Sequence, residues 1–367
     1  MKYSNIGGQA VMEGVMMRNG GRYAVAVRTI DGQIAVKAED YKPVLPIRGV
    51  EKIPILRGVV NFIDSLVLGM STLMYSAEFF AEESEDELEE RLGKEAKKAE
   101  RKAEKLRAQG REEEARKVLE EQQKKADEER ARLTSRSQGK AEERAKSEDN
   151  SLLMTLTVIF SVAFSIVLFM LLPYFLSRLL HRVTSSETLI SIAEACLRMI
   201  IFLGYMLLIS RMKDIQRTFM YHGAEHKCIN CIEHGLELNV ENVRASSRQH
   251  KRCGTSFLLI VMVVSVIFFL FIRVSSPLWR IVIRLLLVPV IAGVSYEFIR
   301  IAGRSDSRLV NILSAPGLAL QRLTTREPDD SQIEVGIASV EAVFDWKKYL
   351  NENFGAHYDL EPAAETL

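Results

Sequence analysis

The sequence predicts a mainly α, integral membrane fold with about four transmembrane helices, and three observations predict it. Residues 152–176, 190–212, 256–272 and 278–302 are each long and apolar enough to cross a hydrocarbon core. Lys and Arg crowd into the connection 213–255 and are sparse in 177–189 and 273–277, the asymmetry that orients helices in a bilayer. Hydrophobic residues make up 47% of the 367 residues, while a net charge of +1 hides a segment, 81–150, saturated with both signs. That is the composition of a membrane protein with a charged cytosolic appendage.

Residues 1–54 read as a small β-rich cytosolic element. Tyr23 to Arg28 alternates apolar and polar, Asp31-Gly32 is a turn signal, and Ile34 to Ala38 alternates again, which specifies a β-hairpin. Ahead of it, Gly7-Gly8-Gln9-Ala10-Val11-Met12-Glu13-Gly14 has glycines suited to close backbone approach. No Lys-Ser or Lys-Thr follows, so this is not a phosphate loop and no nucleotide cofactor is expected. Residues 55–80 are mostly apolar but hold Arg57, Asn61, Asp64 and Glu78, and are expected to form an in-plane or re-entrant helix. A fifth span there would put residues 1–54 outside, against their Lys and Arg content.

Residues 81–150 mix Glu, Lys, Arg and Ala with sparse leucines at Leu88, Leu92, Leu106, Leu119 and Leu133, the composition of a charged helical linker. Ala108-Gln109-Gly110 can break it into an antiparallel hairpin. A solvated face is the plain reading of its charges, and an arm for an unknown protein partner is the alternative. Acidic residues balance the basic ones throughout, so nucleic acid is not an expected partner. Residues 151–304 form the bundle. Within it Glu194 and Arg198 are spaced i, i+4, and Arg284 falls at a similar depth. They are expected to be an ion-pair cluster holding helices together, with a substrate path as the alternative. Residues 305–367 make a C-terminal cytosolic segment that starts with Pro316-Gly317. Asp330 precedes a run whose buried stripe is Ile333, Ile337, Val340 and Phe344. The last fifteen residues or so are expected to be poorly ordered.

The chemistry concentrates in Tyr221-His222-Gly223-Ala224-Glu225-His226-Lys227, an H-x-x-E-H run. Two His four apart on a helix share a face and can reach one metal, and Glu225 beside them can deprotonate a water. Of six His, three (His222, His226, His250) lie in one short window, with Cys228 and Cys231 between them. His250 and Cys253 precede the third span, and Glu297 near the inner end of the fourth is expected at the same level. Two metal sites compete. An open, catalytic one uses His222, His226 and either His250 or Glu297. A closed, structural one uses Cys228-x2-Cys231 with His250-x2-Cys253. A metal-free hydrogen-bond network is the third reading. Four Cys and an N-terminus, Met1-Lys2-Tyr3-Ser4-Asn5, without an apolar run point to reduced thiols in a chain that is not secreted.

The run from Gly7 to Arg18, Leu56-Arg57-Gly58, Tyr221 to Lys227, Arg252-Cys253-Gly254-Thr255-Ser256-Phe257, and Pro316-Gly317-Leu318 through Glu334-Val335 together resemble the YqhQ-like family. These are bacterial multi-pass membrane proteins of unknown function, often labelled predicted metal-dependent enzymes. The resemblance covers nearly the whole chain except about 84–148, where an insertion is expected. Cys228 departs from the family pattern, which weakens the closed site. The resemblance implies a bacterial inner-membrane protein, and four spans put both termini in the cytosol. The expected function is metal-assisted hydrolysis at the cytosolic membrane surface. A divalent ion, zinc first, is held by His222, His226 and His250 or Glu297, with Glu225 as general base and Glu13, Cys253 and Lys227 in supporting positions. The lipid bilayer is the expected partner. A non-catalytic scaffold with a structural metal, and an ion or metal transporter, are the alternatives.

Overall fold

The computed structural model describes residues 2–29, 31–46, 49–79, 85–108, 111–143, 148–271, 274, 276–303, 305 and 307–359. The chain forms two compact units: Phe80–Ile166, and Met1–Phe79 together with Val167–Leu367. In the larger unit β1 (Gly7–Val11), β2 (Gly14–Asn19), β3 (Arg22–Arg28) and β4 (Ile34–Asp40) form an antiparallel meander in sequence order. The hairpin expected at residues 23–38 is its second half. The glycine-rich run supplies the first half, where Val11 pairs with Gly14 across Met12-Glu13 and Glu13 takes a φ of 48°. Strict alternation is lost in β2 because both sheet faces are covered: Val15, Met16 and Met17 are all buried.

Gln9, Met16 and Val25 are cross-strand partners and share one face. That face meets α1 (Leu56–Glu78): Gln9 Nε2 donates to Gly69 O at 3.1 Å and to Thr72 Oγ1 at 3.0 Å. Met12 N–H donates to Ser76 Oγ at 3.1 Å, and Val44 N–H to Asp64 Oδ1 at 2.9 Å. The polar stripe of α1 is therefore buried under the sheet. On the opposite side Leu66, Val67, Met70, Leu73 and Met74 are exposed.

The smaller unit is made of α2 (Glu85–Ala108), α3 (Glu112–Glu143) and α4 (Glu148–Ile166). The first two pack on each other over the small residues Ala99, Ala103 and Ala115. Gln109 and Gly110, where the expected break falls, lie outside the described residues.

The chain continues through a π turn at Val167–Leu171 into α5 (Leu172–Arg178). Pro173 has no N–H to complete the ladder, so the helix widens ahead of it. Then follow α6 (Glu187–Ile209), α7 (Lys213–Glu233), α8 (Val240–Ala245), α9 (Gly254–Phe271), α10 (Pro277–Ala302), α11 (Arg308–Thr324), α12 (Asp330–Glu341) and α13 (Trp346–Phe354). Among the described residues five stretches are long and apolar enough to cross a membrane: Leu56–Glu78, Leu156–Arg182, Glu187–Ile209, Gly254–Phe271 and Trp279–Ala302. The last four match the expected spans. The first is α1, expected to lie in plane.

Glu194 of α6 accepts from Arg198 at 2.9 Å and from Arg284 Nη2 of α10 at 3.0 Å, the cluster that the i, i+4 spacing predicts. Both guanidinium groups lie 4.9 Å from the centre of the Phe269 ring of α9.

The other sheet face packs on α7 and α12. Val15, Met17 and Ala26 join Tyr221, Ile229, Ile333 and Val340 in one core. A capping box starts α12: Asp329 Oδ1 accepts from Gln332 N–H, and Gln332 Oε1 from Asp329 N–H. Pro316 and Gly317 sit inside α11 rather than opening the segment, because Gly317 gives Ser256 room; a Cβ there would lie 2.8 Å from Ser256 Oγ. Of the last fifteen residues or so, the described part includes Tyr358, which is tied to the helix before it. Asn351 and Tyr358 exchange two hydrogen bonds of 2.9 Å, and the Tyr358 ring lies 5.1 Å from that of Trp346. Residues 360–367 lie outside the described residues.

Candidate metal centre

The H-x-x-E-H run lies on α7, so His222 and His226 share a helix face and their ring centroids are 4.4 Å apart. Two backbone carbonyls orient them. His222 Nδ1 lies 2.8 Å from Thr324 O, and His226 Nδ1 lies 2.7 Å from Arg248 O. A carbonyl can only accept, so each Nδ1 carries a proton and each Nε2 is presented inward, the arrangement that fixes ligating imidazoles. Cys253 Sγ lies 3.2 Å from His222 Nε2, and one ligand atom each from His222, His226 and Cys253 fall within 4.8 Å of one another. Glu225 Oε2 is 3.8 Å from His222 Nε2 and 3.7 Å from His226 Nε2.

Charge is concentrated in a buried place. Burial pushes the Cys253 thiol up, yet the two imidazoles beside it hold it well below the usual thiol range. Cys253 also immediately precedes α9, where Thr255 N–H donates to its sulfur at 3.3 Å and the helix N-terminus favours a thiolate. Burial lowers both imidazoles, but the Cys253 sulfur and Glu225 outweigh it: His222 is raised, and His226 is pushed up to about 9.

Each supporting segment is placed by a specific fit. At Gly223 the connection between α11 and α12 crosses α7 so closely that a Cβ would stand 2.0 Å from Arg326 O. Arg326 N–H donates to Phe219 O at 2.9 Å there, which brings Thr324 O over His222. Two turns on, Asn230 Nδ2 donates to Ser247 O at 2.7 Å and to Gln249 O at 3.0 Å. Lys227 Nζ donates to Arg244 O at 2.9 Å and to Ser246 O at 2.8 Å. These bonds carry Arg248 O to His226, so Lys227 acts on the centre through the backbone. From the sheet, Gly8 lies on Glu225, and a Cβ there would meet Glu225 Cγ at 2.9 Å. Glu13 accepts from Arg217 and from Tyr221 OH, fastening the β1–β2 turn to α7 away from the trio.

His250 lies next to the trio, its ring centroid 5.8 Å from that of His226, but it is not among the three converging ligand atoms, and Glu297 is held elsewhere. His250 Nε2 faces Glu233 Oε2 at 3.4 Å, and Gln321 clamps its backbone on both sides, at 2.9 and 2.7 Å. Glu233 also accepts from Ser4 and Arg252. Burial alone would raise its carboxyl, but His250 and Arg252 hold it below the usual range. Glu297 is captured by Arg57 at 2.6 Å. The closed site is not assembled either. Cys228 packs on Gly336, and Cys231 Sγ donates to Glu237 O at 3.3 Å. Burial pushes both thiols up, Cys231 to about 11, and among the described residues neither joins a group of three ligands. The residues the sequence did not mark are Thr324 and Arg248, which act through carbonyls, and Glu233. Cys253 was readable from its place just before the Gly-Thr-Ser start of α9.

Gly223→Ala is expected to lose about 1–3 kcal/mol of stability, because backbone rather than a flexible side chain must move away from the added methyl. Thermal unfolding of the full chain in detergent measures it; an unchanged midpoint would mean that the crossing is looser than described.

No solved structure matches the chain. The uncharacterized protein YqhQ of Bacillus subtilis (strain 168) is 35% identical over 338 residues, covering 91% of this chain and 90% of that protein. Residues 53–346 match the family described as protein of unknown function (DUF1385), and the chain belongs to that family.

Proposed function

We propose that the protein is a zinc-dependent hydrolase working at the cytosolic membrane surface, with His222, His226 and Cys253 as ligands and Glu225 as general base. The observation that carries this reading is the convergence of three ligand atoms within 4.8 Å beside a carboxylate. One thiolate with two imidazoles suits zinc over magnesium or calcium. Three protein ligands leave a fourth position, as catalytic rather than closed sites do. Zinc in such a site supplies Lewis acidity to a carbonyl or phosphoryl group and makes a water at the open position a stronger acid. With the ion bound, Glu225 would be the residue to accept a proton from a water there, through Oε2, the oxygen that faces both Nε2 atoms. Glu225, His226 and Cys253 are buried, which limits contact of bulk water with these side chains. A second reading, a structural ion pinning α7, α11 and the start of α9 in a scaffold, is favoured by the burial of His226 and Cys253 at 1% and 5% exposure.

The same proposal sets the protein in the bilayer with four spans and α1 in the plane of the inner surface. The connection 213–255, with its Lys and Arg, is then cytosolic, as are both termini. Contacts of α1 support this. Near its start it meets α9 and α10 toward their cytosolic ends, through Phe62 with Phe257 (ring centroids 5.5 Å) and Asn61 with Tyr296 OH (3.0 Å). From Gly69 to Ser76, about 10 Å of helix, it carries the first hairpin of the sheet, which a helix crossing lipid could not do without burying strand polar groups in hydrocarbon.

Wild type purified in detergent is expected to hold one zinc per chain, and His226→Ala and Cys253→Ala to lose it. Glu225→Gln is expected to keep the zinc and lose hydrolysis of a fluorogenic ester and peptide panel in proteoliposomes. Wild type without a bound transition metal overturns the proposal, a Glu225→Gln protein that keeps full activity removes Glu225 as the base, and zinc-bearing wild type that hydrolyses nothing in the panel moves the site to the structural reading. For the membrane arrangement, a cysteine placed at Asp31, exposed in the turn between β3 and β4, is expected to react with an impermeant maleimide only after cells are opened. Labelling on intact cells would make α1 a fifth span.

A further inference from the structure

A cavity of about 480 Å³ opens beside the candidate centre, between the end of α6, the first half of α7 and the connection after α11. Arg248, Arg322 and Arg326 line it with Glu327, and Met220 and Leu323 supply apolar wall. We propose that this cavity binds the phosphate group of an anionic amphiphile.

The charge balance points that way. Glu327 is the one carboxylate in the lining, and it is shared between Lys227 Nζ at 2.9 Å and Arg248 Nε at 3.5 Å. Arg248 also donates to Thr325 O, and Arg326 to Ser210 O, each at 3.1 Å, so these two guanidinium groups are held in place by neutral carbonyls with further donors to spare. Arg322 is exposed and makes no hydrogen bond or ion pair within the described residues. The cavity therefore presents cationic forks that one carboxylate does not neutralise, the arrangement that binds phosphate oxygens bidentately. Its size is that of a small-molecule site.

Position supplies the rest of the ligand. Ser210 directly follows α6, and Leu323 packs with Phe202 and Met206 near the end of that helix. A ligand here meets guanidinium groups above and apolar side chains below, the profile of a headgroup at a bilayer border. The phosphate assignment stands on the side chains alone, whereas the lipid assignment rests on the membrane arrangement proposed above. Neither requires the metal centre to be catalytic, although Arg248 and Thr325 belong to the two segments whose carbonyls orient His226 and His222.

The test uses the full chain in a neutral maltoside detergent, with thermal unfolding followed during titration with dihexanoyl phosphatidic acid, dihexanoyl phosphatidylcholine and inorganic phosphate. Phosphatidic acid is expected to raise the midpoint and phosphatidylcholine to leave it unchanged. Arg322→Gln is expected to weaken the phosphatidic acid response about tenfold, the loss of one charge-assisted contact, and Arg322→Lys to keep most of it. Inorganic phosphate binding as tightly as phosphatidic acid would overturn the headgroup assignment and make a soluble phosphate the ligand. No response of wild type to either anion, or an equal response in Arg322→Gln, would overturn the site. Zinc content is read separately, so failure of one proposal leaves the other standing.

Discussion

The close crossing at Gly223 is the constraint on which the rest depends. With hydrogen as its side chain, α7 accepts the backbone of the connection between α11 and α12 against its own. That contact delivers Thr324 O to His222 and starts α12 where Gly336 can settle on Cys228. With α12 in place, the sheet has its second wall, and Gly8 comes to rest on Glu225. A motif that reads as metal chemistry thus owes its geometry to three glycines, each marking a place where another element must come within van der Waals reach of α7 or its partners.

The polar groups around the trio form a second layer with one purpose. Lys227, Asn230 and Gln321 donate to backbone carbonyls rather than to the reacting groups. Such bonds hold an irregular, buried connection that has no ladder of its own, and a buried carbonyl left unpaired would cost about 1–3 kcal/mol. The result is that both imidazoles point one way before any ion arrives, which lowers the ordering cost of binding.

Much of this was legible in the sequence. The H-x-x-E-H spacing needed only a helix to bring His222 and His226 together, and 3.6-residue periodicity supplies it. The i, i+4 pair Glu194 and Arg198, and the run beginning at Asp330, were readable for the same reason. The third partner was harder. His250 and Glu297 were placed by assuming that residues at one depth meet, but side-chain direction decides contact. The His250 ring does pack beside His226, but its Nε2 turns to Glu233, and Arg57 reaches Glu297 first. The β1–β2 hairpin escaped because burial on both faces erases alternation. Thr324 and Arg248 left no trace because a carbonyl looks the same in every residue type. Asp64 within an apolar α1 was a readable sign that this helix has one face on protein, whereas Thr72 and Ser76, buried on the same helix, were not marked.

The central claim is that two imidazoles and one thiolate hold the ion. X-ray absorption at the zinc edge of the metal-loaded full chain tests it most directly. One sulfur at about 2.3 Å with two imidazole nitrogens at about 2.0 Å is the predicted first shell. A shell with two or more sulfurs, bringing in Cys228 or Cys231, or a shell with no sulfur at all, would contradict it.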